Sequence, residues 1–270
     1  MKNILIFFPM FTGVRLLDIN LFVQTFFVFV AFCLIASFVY IYNDSKDLAQ
    51  DKLHPAKSLR PLASGVISVE SARKLAMVLL LTGLTVGIMV SIKVLFVLLT
   101  YVFLNILYTE KLKYIGIVDA VIVALGFVLR LEAGSIPGNI MLSEWIVLLI
   151  FFGSLFLVFT KRYGELKFLP EKTKLVSYNR IFLNFAITLS ATIIIIVYIM
   201  YVNAPKLVPY HHVEYLYTTV FFVVTGILRY IHLIFVEKSQ NTPDKIFLSD
   251  KFLLCTVILW GLLLGGLIYL

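Results

Sequence analysis

Charge is what this sequence has least of. Only 14% of its 270 residues are Asp, Glu, Lys or Arg, 61% are apolar, and the mean hydropathy is +1.01. So little polar surface cannot cover a water-facing fold; the apolar excess must face lipid, which excludes a soluble domain. It also makes nucleic-acid binding a poor account of the net charge of +8, which membrane topology explains better. Cysteine is nearly absent. Cys33 and Cys255 lie far apart inside apolar runs, with neither metal-site spacing nor a disulfide framework. Repeats, linkers and low-complexity stretches are missing too, so one domain over residues 1–270 is expected. The opening run MKNILIFFPMFTGV lacks a small-x-small cleavage site and reads as a short first helix.

What is present is a series of apolar runs near the roughly 20 residues that span a bilayer. They predict helices over 2–14, 19–44, 69–91, 94–110, 115–133, 142–162, 179–202, 213–236 and 250–269. The expected fold is an all-α integral membrane bundle of nine transmembrane helices. With alternate loops on opposite sides, one set of ends and loops holds eighteen Lys and Arg, the other only Arg15, Lys93 and Lys206. The richer set is expected to face the cytoplasm, in a multi-pass protein of the cytoplasmic membrane.

On that side lies a polar island, YNDSKDLAQDKLHPAKSLRPLASG, residues 42–65. Asn43, Asp44, Asp47 and Asp51 follow N-D-x-x-D-x-x-x-D, which on one helix, at about 100° per residue, spans an arc of roughly 100°. Carboxylates so crowded repel one another and call for a cation among them. Lys46 projects away from that face, whereas hard oxygen ligands suit Mg²⁺, which bridges carboxylates to substrate phosphates. His54, Lys57 and Arg60 follow at every third position, and Lys and Arg are the phosphate-binding cations. Acids for a metal followed by bases for phosphate describe a site for a diphosphate with Mg²⁺. A solvated, acid-rich helix end is the plainer alternative.

NDSKDLAQDKLHPAKSLRP resembles the first aspartate-rich motif of the UbiA-type intramembrane prenyltransferase superfamily. The resemblance implies nine transmembrane helices around a cytoplasm-facing cavity, in agreement with the count and orientation above. Most members carry a second aspartate-rich motif after the sixth helix, for a prenyl diphosphate donor. Here no aspartate occurs between Asp119 and Asp244, and the matching loop reads FTKRYGELKFLPEKTKLVSYNR, with Lys161, Arg162, Tyr163 and Glu165.

GSLFLVFTKRYGEL is similar to the decaprenyl-phosphate phosphoribosyltransferase branch, as are LGFVLRLEAG around Arg130, ILRY around Arg229, and TPDKIFLSDK. That resemblance implies transfer of 5-phosphoribosyl from phosphoribosyl diphosphate to a polyprenyl phosphate. Asn43, Asp44, Asp47 and Asp51 would hold Mg²⁺ on the donor diphosphate. Lys57 and Arg60 would hold donor phosphates, and Lys161 and Arg162 the 5-phosphate or the lipid phosphate. The branch usually carries a basic, Trp-containing segment before Lys-Asn, whereas this chain begins Met1-Lys2-Asn3, so one phosphate contact is expected to be missing or supplied elsewhere. The competing expectation is a prenyltransferase with a prenyl diphosphate donor and an aromatic or other acceptor.

Three ionisable residues inside spans are further candidates, because lipid exposure of charge is costly. Asp119 and Arg130, eleven residues apart, share a helix face. Each is either a substrate contact or an interfacial charge, with snorkelling enough for Arg130. Arg229 either lines a cavity, pairs with an acid or touches substrate. Glu165, four residues from Lys161, orients Lys161 or Arg162 or assists a metal, and Tyr163 takes its weight from the motif around it.

Overall fold

Apolar side chains at every third or fourth position, set between capping residues, carry this chain into helices. The structure is a computed structural model and describes residues 2–53, 57–166, 178–204, 212–237, 246–247 and 249–270. The helices are α1 (Lys2–Thr12), α2 (Ile19–Lys46), α3 (Leu48–Leu53), α4 (Val69–Val90) and α5 (Ile92–Glu110). They continue with α6 (Val118–Ser135), α7 (Glu144–Glu165), α8 (Arg180–Asn203), α9 (Val213–Phe235) and α10 (Lys251–Tyr269). Among the described residues there is no strand.

Each of the nine expected segments contains helix. Among the described residues, α2, α4, α5, α7, α8, α9 and α10, seven in all, are long and apolar enough to cross a membrane. The other two fall short for separate reasons: α1 is short, and the 18-residue α6 carries Asp119, Arg130 and Glu132.

The chain divides into two compact units. The first comprises residues 1–11, 15–113 and 129–140. Its spine is α2, where Leu21, Thr25, Val28, Ala31, Phe32, Ile35 and Val39 form a buried stripe at helical spacing. From Val28 to Val39 that stripe packs with Ile6, Ala76, Val94, Leu98, Tyr101 and Ala133 into one core. Gly134 makes the fit of α1 possible: a Cβ there would lie 1.9 Å from the carbonyl oxygen of Ile6, so only glycine is accommodated. Asp18 caps α2 by accepting from Leu21 N–H at 3.0 Å. Ser91 ends α4, its N–H donating to Gly87 O, and also begins α5, its Oγ accepting from Lys93 N–H at 3.2 Å.

The second unit comprises residues 12–14, 114–128 and 141–270. Phe156, Phe159, Leu183, Ile187, Tyr230, Leu233 and Leu253 lie in its core, with the Phe156 and Tyr230 rings 5.3 Å apart. Tyr198 joins two other polar side chains inside it: Trp260 Nε1 donates to Tyr198 Oη at 2.8 Å, and Tyr198 Oη shares a hydrogen bond of 2.7 Å with Thr219 Oγ1. In both units large apolar side chains face outward, among them Phe96, Phe103, Phe185, Phe221 and Leu262. Such surfaces suit lipid and not water. The chain is a multi-pass membrane protein.

Candidate active site

The acidic motif lies in the first unit, and its geometry differs from one continuous helix. Helix α2 carries Asn43 and Asp44 in its last turn and ends at Lys46. Asp47 is the C-cap, its N–H donating to Asn43 O, and Asp51 belongs to the separate helix α3. The expected single continuous helix is therefore corrected to two helices meeting at a bend at Asp47, across which Asp44 and Asp51 still reach one partner. Arg60 Nη1 donates to both, at 2.7 Å to Asp44 Oδ1 and 2.8 Å to Asp51 Oδ2. Asp51 is buried, which a carboxylate tolerates when it is ion-paired. Lys57 Nζ lies 3.9 Å from its other oxygen.

Asp47 instead pairs with Lys113, itself buried in the turn Leu112–Tyr114. Asn43 bridges the two sides: its Nδ2 donates to Asp47 Oδ2 at 3.1 Å and its Oδ1 accepts from Thr109 at 3.3 Å. Lys46 does turn away, to Glu110 at 2.7 Å. The cations among the aspartates are thus Arg60 and Lys113, with Lys57 farther off. Lys113 counted in the sequence only toward topology, and nothing local distinguished it from Lys111. His54 lies outside the described residues. Among the described residues no three acidic, His or Cys side chains form a ready-made metal cage.

A second cluster lies in the other unit. Helix α7 runs on to Glu165, three residues past the expected end at 162, so Tyr163 and Glu165 join Lys161 and Arg162 in the helix rather than starting the loop. Arg162 Nη1 donates to Glu165 Oε2 at 3.0 Å, and Lys161 Nζ lies 3.8 Å from Glu165 Oε1. Arg162 Nη2 donates to Asp119 Oδ2 at 3.1 Å. Asp119, in the first turn of α6, is wholly buried. Its Oδ1 accepts from the Tyr178 hydroxyl at 2.6 Å, and that hydroxyl accepts from Ile117 N–H at 2.7 Å. Burial, then the Asp119 carboxylate, push the Tyr178 phenol well above its ordinary pKa, so it stays a donor. The Tyr163 ring packs edge-on against Phe235, centroids 5.1 Å apart.

Arg130 is buried, which corrects the snorkelling expectation. Its Nε donates to Asn3 Oδ1 at 2.8 Å and its Nη2 to Tyr101 Oη at 2.9 Å. The guanidinium carbon also lies 5.0 Å from the Phe32 ring centre and 4.8 Å from that of Tyr101, within cation–π range. Arg229 is committed to acids. Its Nη2 donates to Asp250 Oδ2 at 2.6 Å and its Nη1 pairs with Glu237 at 2.8 Å. Asp250 also caps α10 through Leu253 N–H at 2.7 Å. Arg229, with the capped N–H, holds the Asp250 carboxyl below the ordinary aspartate range.

Helices of membrane-spanning length with two clusters of mixed charge at their ends define a multi-pass membrane protein whose polar chemistry is concentrated in a few turns. The chain belongs to the UbiA prenyltransferase family, whose model matches residues 6–265. It is 32% identical over 254 residues to a decaprenyl-phosphate phosphoribosyltransferase of Mycolicibacterium smegmatis, covering 89% of this chain and 79% of that one. A protein of the same name from Corynebacterium glutamicum is 31% identical over 245 residues, covering 86% and 72%. Among solved structures, a UbiA homologue from Archaeoglobus fulgidus bound to GPP and Mg²⁺ shares the fold, with a TM-score of 0.72 at 17% identity over 99% of this chain and 95% of that one.

Proposed function

We propose that this chain transfers the 5-phosphoribosyl group from phosphoribosyl diphosphate to a polyprenyl phosphate of the decaprenyl type, releasing diphosphate. The observation that carries this reading is the second cluster, where the family's usual second acidic motif is replaced by a guanidinium, Arg162, held between Asp119 and Glu165. A cation presented in this way suits a phosphate bound directly. Similarity to the two named phosphoribosyltransferases over most of both chains supports it.

The first cluster fits Mg²⁺ by its donors. Oxygens of Asp44 and Asp51 already converge on one cationic atom, Arg60 Nη1, and Mg²⁺ favours one or two carboxylates completed by water and substrate phosphate. Asp44 and Asp51, with Asp47 and Asn43 beside them, would hold it. When bound, the ion neutralises charge on the departing diphosphate. Lys57 and Arg60 hold phosphates of the donor. Lys161 and Arg162 hold the 5-phosphate or the lipid phosphate, and Glu165 and Asp119 orient Arg162. In the step itself the ribose C1–O bond to diphosphate breaks, the electron pair leaves with diphosphate, and an oxygen of the lipid phosphate bonds to C1. That oxygen is already ionised near neutral pH, so no side chain has to remove a proton.

In this reading residues 1–270 form one catalytic domain of nine spans in the cytoplasmic membrane. Its cavity and active site face the cytoplasm, the side that eighteen Lys and Arg mark. The test is incubation of the purified protein with phosphoribosyl diphosphate, Mg²⁺ and decaprenyl phosphate, with lipid products resolved by mass. A phosphoribosyl-lipid is expected. Turnover of a prenyl diphosphate with no phosphoribosyl-lipid would overturn the reading.

A further inference from the structure

Asp119 is wholly buried, and each of its two oxygens has a different task. Oδ2 accepts from Arg162, and Oδ1 accepts from the Tyr178 hydroxyl. A carboxylate held at one oxygen cannot turn about its Cβ–Cγ bond, so the other oxygen meets Arg162 at a fixed place. With Glu165 on Nη1 and Asp119 on Nη2, the plane of the guanidinium is set, and a set plane is what forked recognition of a phosphate requires.

The same hydroxyl acts a second time, on the backbone. Ile117 has φ of +71°, in the left-handed region, which is strained for a β-branched residue and persists only where surroundings enforce it. Ile117 N–H donates to Tyr178 Oη, and Asp119 follows two residues later. One phenol therefore holds both the chain that carries Asp119 and the carboxylate itself. The ring is fixed independently of its hydroxyl: it stacks on Phe182 at 5.6 Å and meets Phe159 edge-on at 6.3 Å.

We propose that Tyr178 is a positioning residue for phosphate recognition, acting through Asp119 to aim Arg162 at a substrate phosphate. The proposal rests on the reading of Arg162 as an anion-binding side chain. Tyr178→Phe keeps the stacked ring and removes only the hydroxyl, which makes it the natural probe.

The experiment compares wild type, Tyr178→Phe, Asp119→Asn and the double variant in lipid nanodiscs. It measures kcat and KM for each phosphorylated substrate, together with the unfolding midpoint. Tyr178→Phe is expected to raise KM for one phosphorylated substrate about tenfold, the equivalent of about 1.4 kcal/mol, with kcat within about twofold. The double variant is expected to be no worse than Asp119→Asn alone, because both substitutions break one chain of contacts. An unchanged KM with a lowered midpoint or kcat would show a merely structural tyrosine and overturn the proposal, as would additive losses in the double variant. If Tyr178→Phe does not insert, Asp119→Asn decides alone, an unchanged KM overturning the proposal. Should wild type consume a prenyl diphosphate and not phosphoribosyl diphosphate, the functional reading fails, and the same KM comparison on that diphosphate still decides Tyr178.

Discussion

In the first cluster one guanidinium nitrogen, Arg60 Nη1, is shared by two carboxylates; in the second, one guanidinium commits two nitrogens to two carboxylates. The difference is in what converges. Asp44 and Asp51 point oxygens at one nitrogen; in the function proposed above, the acids are the permanent part there and the cation is exchangeable. Around Arg162 the acids engage separate nitrogens; in the same proposal the cation is the permanent part and the acids supply its aim. The proposed function thus has one region receive a positive charge and the other present one.

Removing the convergence should have the largest effect. Asp44→Asn with Asp51→Asn is expected to reduce Mg²⁺-dependent turnover by about 10³-fold, from the several kcal/mol of charge stabilisation a metal supplies. Membrane insertion, followed by fractionation, should remain. Turnover within tenfold of wild type would break the distinction between the regions.

A smaller effect separates the two arginines. Arg162→Gln should raise KM for a phosphorylated substrate by about 10–100-fold, the range of a charge-assisted hydrogen bond, whereas Arg60→Gln should raise it less than about tenfold. Steady-state kinetics on both variants checks the order, and equal losses would mean that Arg60 is no more exchangeable than Arg162.

The smallest effect lies away from both clusters. Asp250 has its carboxyl pKa held down chiefly by Arg229, so its pairing stabilises the fold at pH above the ordinary aspartate value of 3.8 and is lost as pH falls through the lower folded value. Asp250→Asn keeps a capping oxygen for Leu253 and removes the charge. It should lower the unfolding midpoint by a few degrees at neutral pH, remove that acid-side dependence and leave KM unchanged. A changed KM would place Arg229 with the substrate.

Most of the helices were legible because lipid imposes a length, and apolar runs with Ser, Asp or Asn before them state both length and start. The crowding of Asp44, Asp47 and Asp51 was legible from spacing, but the bend between them was not. A local pattern favours continuing α2, whereas the stop at Asp47 sits beside a pairing with Lys113, sixty-six residues away. Arg60 reads as a phosphate ligand in sequence because only the folded chain shows it against two acids. Tyr178 is one of fourteen tyrosines with no local mark, and the partner of Arg130, Asn3, lies 127 residues from it. Contacts of that range leave no periodic signature to read.

Ser91 closes α4 and opens α5 with no residue to spare. During synthesis a connection so short offers no polar loop that can be carried over the bilayer on its own. The two helices are therefore expected to enter as a single hairpin, with Lys93 the charge nearest its tip. A stop placed between them is expected to strand α4 without the partner that shares its turn.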